Sequence, residues 1–205
     1  CDWSSDVCSS DLPVTEMRGI RSGIENTNYY VSTPQGQWVL TLFERLNHEQ
    51  LPYYLSLMQH LAQQGILVPA PQALPNGQLV HSVAGKPAAV VTRLPGNHRL
   101  APGASHCAQV GEMLGRMHVA GQSFAGSQPH LRGLSWWHQT APQVLPHLEP
   151  AQARLLQEEL TYQQEVAQSA AGLALPKGPI RADLFRDNVM FDATSGEDQI
   201  GRAHV

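Results

Sequence analysis

The stretch ADLFRDNVMF, Ala182–Phe191, combines two oxygen-bearing side chains with an apolar segment directly behind them. Asp183 precedes Asn188 by five positions. A carboxylate in a loop can accept the proton of a substrate hydroxyl, and an amide oxygen is a hard ligand that suits Mg²⁺. The pattern therefore predicts Asp183 as a catalytic base and Asn188 as a metal ligand, on a loop that leads into a short strand.

This spacing is typical of the catalytic loop of kinase-type phosphotransferases, in which the metal ion lies on the phosphates of ATP. The alternative for both residues is an ordinary turn, because aspartate and asparagine side chains also bond to nearby backbone groups. Arg186, between them, could neutralise a phosphate or a substrate carboxylate, or be a solvated loop residue.

Both ends of the chain differ in character from the sequence between them. Residues 6–12, DVCSSDL, can be encoded by GACGTGTGCTCTTCCGATCT. Residues 200–205, IGRAHV, can be encoded by its reverse complement, which begins with the last two bases of the preceding glutamine codon. The pattern indicates a translated sequencing adaptor, so residues 1–12 and 199–205 are predicted to be non-native and are left out of the fold prediction. A natural tail rich in serine and aspartate is the alternative.

Composition limits the classes of function. The formal net charge is −4, and it becomes −2 without the three aspartates and one arginine of the predicted non-native ends. A weakly acidic chain is a poor candidate for binding nucleic acid or an anionic membrane. Cys107 is the single cysteine between those ends, which fits a reducing cytoplasm. No apolar run approaches the roughly 20 residues of a membrane span, and the first twelve residues lack the regions of a signal peptide.

The first half of the chain predicts four strands around one helix. Asn47, with Gln50 three residues later, predicts the start of the helix, and Gly65 predicts its end. Its predicted apolar stripe consists of Leu51, Tyr54, Leu55, Met58, Leu61 and Ala62. Turn signals and β-prone runs predict the strands, which lie within Gly19–Thr33 and at Gln37–Phe43, Gln78–Ser82 and Pro87–Leu94.

The second half of the chain is predicted to be helical. One helix follows Ser105, a short one begins at Trp136, and a long one begins at Pro150 and has an irregular inward stripe. The order of elements predicts an α+β, bilobal, protein-kinase-like fold. Its parts are a β-rich nucleotide-binding lobe at 13–94, a hinge segment at 95–103, and a partial helical lobe with the catalytic loop at 104–198.

Eight stretches resemble, in order, the homoserine kinase branch of the aminoglycoside-phosphotransferase-like superfamily. They cover almost all of Pro13–Asp192: GIENTNYYV, WVLTLFERL, QLPYYLSLMQHLA, VPAPQALPNGQL, KPAAVVTRLPG, GEMLGRMHVAG, LRGLSWW and ADLFRDNVMF. The resemblance implies a cytoplasmic enzyme of threonine biosynthesis. It implies transfer of the γ-phosphoryl group of ATP, held with Mg²⁺, to the hydroxyl of L-homoserine.

Two segments are expected to contact the nucleotide. In GIENTN, residues 23–28, glycine permits a close backbone approach, and amide and hydroxyl groups can donate to phosphate oxygens. The alternative is a plain hairpin turn, since the segment lacks a complete G-x-G-x-x-G. The strand end at residues 91–94 suits a flat heterocycle, although it could be plain core strand. The candidate nucleotide-binding residues are Gly23, Asn26, Thr27, Asn28, Val91, Thr92 and Leu94.

Three positions depart from the superfamily's pattern. Thr41 lies where most members have a lysine that pairs with the phosphates, and Arg181 lies where the family usually has a histidine before Ala-Asp. A kinase of this type also needs a second metal ligand, an aspartate from a later strand. Asp198 does not match that motif, so the chain as written is expected to be inactive.

Three functions remain open at the level of sequence. The first is phosphorylation of L-homoserine. The second is phosphorylation of choline, an aminoglycoside or another amino alcohol by a related small-molecule kinase. The third is nucleotide binding without turnover, as in a pseudokinase, which Thr41 and Arg181 suggest.

Overall fold

The computed structural model describes residues 13–21, 25–181, 184–192 and 199–201, the last three by their backbone alone. The strands are β1 (Glu16–Ile20), β2 (Asn26–Thr33), β3 (Gly36–Phe43), β4 (His81–Val83), β5 (Lys86–Thr92), β6 (Met190–Asp192) and β7 (Gln199–Gly201). The α-helices are α1 (Leu51–Gln63), α2 (Ala104–Gly121), α3 (Leu134–Val144), α4 (Pro150–Gln168) and α5 (Ala170–Ala174). Short 3₁₀ turns lie at Leu145–His147 and Arg186–Asn188.

Five antiparallel strands form one sheet in the order β1-β2-β3-β5-β4. The predicted hairpin of β2 and β3 is confirmed, as are the two strands that follow α1. The sequence did not predict β1, because four of its five residues are exposed and EMRGI lacks apolar alternation. This edge strand exists through its ladder to β2, in which Glu16 pairs with Ser32 and Ile20 with Asn28.

Helix α1 buries Leu51, Leu55 and Met58 of its predicted stripe against one face of the sheet, whereas Leu61 packs with Met117 of α2. Leu51, Leu55 and Met58 form a buried cluster with Phe43 and Val91. Each such side chain removed from water contributes roughly 1.5–3 kcal/mol before the entropy of ordering is counted. The cluster therefore fixes α1 beside the strands that carry the predicted nucleotide site.

The reciprocal hydrogen bonds predicted for Asn47 and Gln50 are present, but they lie in the turn that precedes α1. The Asn47 backbone N–H donates to Gln50 Oε1 at 3.2 Å, and the Gln50 N–H donates to Asn47 Oδ1 at 3.0 Å. The α-helix itself begins at Leu51, after a turn at residues 48–50. At the other end, Gly65 has a φ of +76°, which is the helix-terminating conformation expected there.

The described residues divide into two compact units, one from 1–126 with 178–205 and one from 127–177. This division does not coincide with the predicted hinge segment at 95–103, whose role as a domain boundary stays a prediction. The unit at 127–177 contains α3, α4 and α5. Among the described helices, none is long and apolar enough to cross a membrane.

The prediction that the apolar stripe of α4 faces inward is wrong for Leu155, Tyr162 and Val166, which are exposed, whereas Leu156 and Leu160 are half-buried. None of its residues is buried, and Leu155 is 66% exposed. The stripe was predicted at Leu155, Leu156, Leu160, Tyr162 and Val166. Helices α3 and α5 are shorter than α4, and within this unit they leave part of that face uncovered.

Candidate active site

A cleft of about 230 Å³ lies at the end of the sheet where β5 runs into the hinge segment. Residues paired across antiparallel strands share a face, so Tyr30, Val39 and Val91 form one row on the face that lines the cleft. Six apolar or aromatic side chains that line it are Ile20, Tyr30, Val39, Val91, Leu94 and Met190. The sheet and β6 thus contribute apolar side chains to a cleft that Arg93, Asn97 and His98 also line.

The predicted base-binding residues Val91, Thr92 and Leu94 all line this cleft. The hydrogen bonds of Thr92 are made elsewhere: its N–H donates to the Ala70 carbonyl at 3.0 Å, and its hydroxyl accepts from the Ala70 N–H at 2.8 Å. Thr92 therefore shapes the wall of the cleft. The Arg93 N–H donates to the Gln37 carbonyl at 3.1 Å, so the following N–H, that of Leu94, is the candidate donor to a bound ligand. Pro95 follows and has no N–H to offer.

The predicted phosphate-binding segment is only partly described. Gly23 lies outside the described residues. Asn28 is 6% exposed; its Oδ1 accepts from the Thr41 hydroxyl at 2.8 Å, and its Nδ2 donates to the Asn26 carbonyl at 3.3 Å. Successive strand residues point to opposite faces, so Asn28 shares the cleft face and Thr27 does not. The Thr27 hydroxyl donates to Glu44 Oε1 at 3.0 Å instead.

The Thr41–Asn28 hydrogen bond occupies the place where the superfamily's lysine is expected. Replacing Thr41 with valine keeps the side-chain shape and leaves the buried Asn28 Oδ1 without this donor. We expect the free energy of unfolding to fall by about 1–3 kcal/mol, measured by denaturant unfolding. Thr41→Ser keeps the hydroxyl and should recover most of that loss, so equal losses in both variants would contradict the assignment.

Glu44 lies at the end of β3, where it accepts from both Thr27 and Lys86. Lys86 Nζ is 2.6 Å from Glu44 Oε2. The hydrogen bond from Lys86, then that from Thr27, holds the pKa of Glu44 below its ordinary value of 4.5. A carboxyl whose folded pKa is depressed stabilises the protein above its unfolded pKa, and this contribution is lost as the pH falls through the folded pKa.

The Glu44→Gln variant should therefore melt at a lower temperature than the parent chain at neutral pH. The difference should shrink as the pH drops below 4.5, and also in high salt, because the pair is exposed. Melting curves across pH measure both effects. Glu112→Gln, an exposed substitution on α2, is the matched control. A Glu44→Gln deficit that persists at the acid end would contradict the ion pair as its cause.

The described part of the predicted catalytic loop, residues 184–191, packs on α2. Asp183 lies outside the described residues. Asn188 ends a 3₁₀ turn in which its N–H donates to the Phe185 carbonyl at 2.9 Å. The next residues, Val189 and Phe191, are buried against α2, and this contact holds the turn in place.

The backbone before the loop is also tied to α2. The Arg181 N–H donates to His118 Nε2 at 3.1 Å. Because Nε2 accepts, the neutral ring carries its proton on Nδ1. His118 thus supports the backbone directly before the loop.

The hinge segment pairs with β6 through a short antiparallel bridge. The Asn97 N–H donates to the Phe191 carbonyl at 3.0 Å, and the Phe191 N–H donates to the Asn97 carbonyl at 2.9 Å. Gly96 has a φ of +104°, and a Cβ there would lie 2.5 Å from the Phe191 carbonyl oxygen. Only glycine fits this approach of two backbones.

Two side-chain bonds extend the bridge toward the turn that ends at Asn188. His98 Nδ1 donates to the Val189 carbonyl at 2.9 Å, and Arg186 Nη1 donates to the Leu100 carbonyl at 2.8 Å. Sequence reasoning did not single out His98, because its partner lies 91 positions away. It did raise Arg186, as a phosphate or carboxylate contact, whereas the structure shows this bond to the hinge segment.

Comparisons with known proteins agree with this geometry. A profile of the phosphotransferase enzyme family matches residues 16–201. The chain belongs to that family. The homoserine kinase of Polaromonas naphthalenivorans (strain CJ2) is 57% identical over 176 residues, which are 86% of this chain and 56% of that protein. The homoserine kinase of Cupriavidus pinatubonensis (strain JMP 134 / LMG 1197) is 51% identical over 192 residues, 92% of this chain and 58% of that protein.

A solved structure shows the same fold. Amicoumacin kinase hAmiN, in complex with AMP-PNP, Ca²⁺ and Ami, matches with a TM-score of 0.66 at 18% identity, over 92% of this chain and 57% of that one. The predicted α+β, protein-kinase-like fold is confirmed. The chain spans less than three fifths of the length of the two homoserine kinases.

Proposed function

We propose that this chain is the nucleotide-binding and catalytic-loop part of an ATP-dependent homoserine kinase. The observation that carries the proposal is the hydrogen-bonded link between the hinge segment, which lines the cleft, and the strand that follows Asn188. That link holds a cleft with several apolar side chains and the amide oxygen of Asn188, a candidate metal ligand, in one compact unit. The identity of more than half of the aligned residues to homoserine kinases supports L-homoserine as the acceptor.

The cleft suits the adenine ring. Val39 and Val91 on the sheet and Met190 on β6 supply apolar faces for a flat heterocycle. The backbone N–H of Leu94 is the proposed donor to the base. The phosphates would then extend along the row that contains Asn28 and Thr41.

The phosphate charge has to be offset without a lysine at position 41. Thr41 already donates its hydroxyl to Asn28. Lys86 shares a face with Leu42 and Ala88, opposite the face of Thr41, and it pairs there with Glu44. We propose that the backbone amides of residues 23–28 and a divalent cation supply the positive charge instead.

The described residues fit one position of a magnesium site. The Asn188 amide oxygen is a hard donor, and Mg²⁺ in nucleotide enzymes usually takes one or two protein ligands, with phosphates and water as the others. The cation would offset negative charge on the transferred phosphoryl group. Within the described ranges no group of three or more His, Cys, Asp or Glu side chains could hold a metal ion.

Asp183 is proposed to orient the acceptor. Its carboxylate would accept the hydroxyl proton of L-homoserine while the oxygen forms a bond to the γ-phosphorus. The bond from that phosphorus to the β,γ-bridging oxygen breaks, and ADP leaves with the electron pair. The products are O-phosphohomoserine and ADP.

The test uses this sequence extended, with its own genomic continuation, to the length of the homoserine kinases. ADP release from ATP is measured with L-homoserine, choline and an aminoglycoside as acceptors. We expect turnover with L-homoserine alone, and none from the 205-residue chain under the same conditions. Preference for another acceptor would support the second function, and nucleotide binding without turnover in the extended chain would support the pseudokinase.

A further inference from the structure

We propose that His98 is a positioning residue. It couples binding of a nucleobase in the cleft at the end of the sheet to the placement of the loop that carries Asn188, residues 186–191. The inference rests on the proposed function, because it takes the cleft as a base site and Asn188 as a ligand group. His98 lies in the hinge segment, and its Nδ1 is 2.9 Å from the carbonyl oxygen of Val189, the residue that follows Asn188.

The direction of this hydrogen bond follows from its acceptor. A carbonyl oxygen can only accept, so Nδ1 of His98 carries a proton and donates it to Val189. The ring is thereby fixed relative to the loop backbone. The bond requires an Nδ1-protonated ring, which both the neutral tautomer and the cation supply, so the proposal does not depend on titration.

The bond acts at the peptide unit next to the ligand group. On the preceding side, the Asn188 N–H is held by the Phe185 carbonyl at 2.9 Å. On the following side, the Val189 carbonyl is held by His98 while the Val189 side chain is buried against α2. The backbone is therefore held by hydrogen bonds on both sides of the residue that carries the candidate metal-ligand side chain, Asn188. The bond on the C-terminal side comes from the hinge segment.

The same hinge residues line the cleft. Gly96, Asn97 and His98 all contribute to its wall, together with Met190 from β6. A nucleobase bound there restricts the motion of the hinge residues in this wall. The backbone bridge from Asn97 to Phe191 extends that restriction to β6. His98 adds the contact nearest to Asn188. Binding that orders one segment lowers the cost of ordering the segment bonded to it, which is coupling in the thermodynamic sense.

The test measures amide hydrogen exchange with adenosine as the probe, because adenosine carries the base and no phosphate. In the parent chain, saturating adenosine should slow exchange in residues 91–94 and also in residues 186–191, the latter by about threefold. His98→Ala should keep the protection of 91–94 and lose most of the protection of 186–191. His98→Asn, whose side-chain amide can donate from nearly the same place as Nδ1, should restore it.

His81→Ala is the matched control. His81 Nε2 also bonds to a backbone carbonyl, that of Gln72 at 3.0 Å, but it lies on β4. Its removal should leave the adenosine-dependent protection of 186–191 unchanged. A merely structural role for His98 would raise exchange of the loop with and without adenosine and keep their ratio.

Each outcome decides one point. Equal adenosine-dependent protection of 186–191 in His98→Ala and the parent chain would overturn the coupling. Failure of adenosine to protect 91–94 in the parent chain would overturn the proposed base site itself. If His98→Ala does not fold, failure of the folded His98→Asn variant to show the parental ratio would count against the proposal.

Discussion

Replacing Gly96 with alanine should lower the free energy of unfolding by roughly 2–4 kcal/mol and remove nucleotide binding. The new Cβ would lie 2.5 Å from the Phe191 carbonyl oxygen and 2.7 Å from its carbon. These are backbone atoms and cannot move aside as a flexible side chain can, so the hinge segment and β6 must separate. Separation breaks the two backbone hydrogen bonds between Asn97 and Phe191. Denaturant unfolding and adenosine titration measure the two effects.

Gly77→Ala separates the steric contact from backbone strain. Gly77 has a φ of +83°, so alanine there bears a similar left-handed conformation, but a Cβ at this position would have no other atom within 4 Å. The substitution should cost about 1 kcal/mol, the strain alone, and leave adenosine binding unchanged. If both variants lose the same free energy of unfolding, the loss in Gly96→Ala does not come from the close contact with Phe191.

Local patterns predicted the parts of the fold that depend on neighbouring residues. The stripe containing Leu51 and Leu55 and the reciprocal bonds of Asn47 and Gln50 are set by spacings of three and four residues. Such spacings are visible in the sequence and stay true in the structure. Strand β1 escaped prediction because an edge strand with exposed residues owes its conformation to its partner.

The predicted burial of the apolar stripe of α4 was wrong in part for a related reason. A period of apolar residues indicates which face could be buried, and burial also requires a partner surface. Tyr162 and Leu155 lie on a helix whose own unit, residues 127–177, does not supply that surface. Periodicity therefore predicted the helix correctly and its environment incorrectly.

The candidate site also has parts that local sequence patterns predicted and parts that depend on distant contacts. The spacing of Asn188 relative to the apolar run after it was readable, because the turn and β6 are local. The division of Thr27 and Asn28 between two faces follows from strand alternation, but it could be assigned only once the partners in β3 were known. The contact of His98 with Val189 joins segments 91 positions apart, and no local pattern encodes it.

Replacing Asp183 with asparagine should reduce the turnover number of the extended enzyme by roughly 10²–10⁴-fold. Asparagine keeps the size of the side chain and loses the carboxylate that is proposed to accept the hydroxyl proton. The loss should fall on kcat, while the affinity for adenosine and the unfolding free energy stay near those of the parent. Steady-state kinetics with ATP and L-homoserine measure the first, and equilibrium titration and denaturant unfolding measure the others.

Asp187→Asn is the control within the same loop. It makes the same change in charge four positions later, at an exposed residue of the turn that ends at Asn188. If the effect at Asp183 came from the net charge of the loop, the two variants would lose activity alike. If Asp183 accepts the proton, Asp187→Asn retains most of the turnover, because its carboxylate has no part in the transfer. Full activity in Asp183→Asn would exclude that residue as the base, even with homoserine phosphorylation intact, and would move the search to another carboxylate of the extended chain.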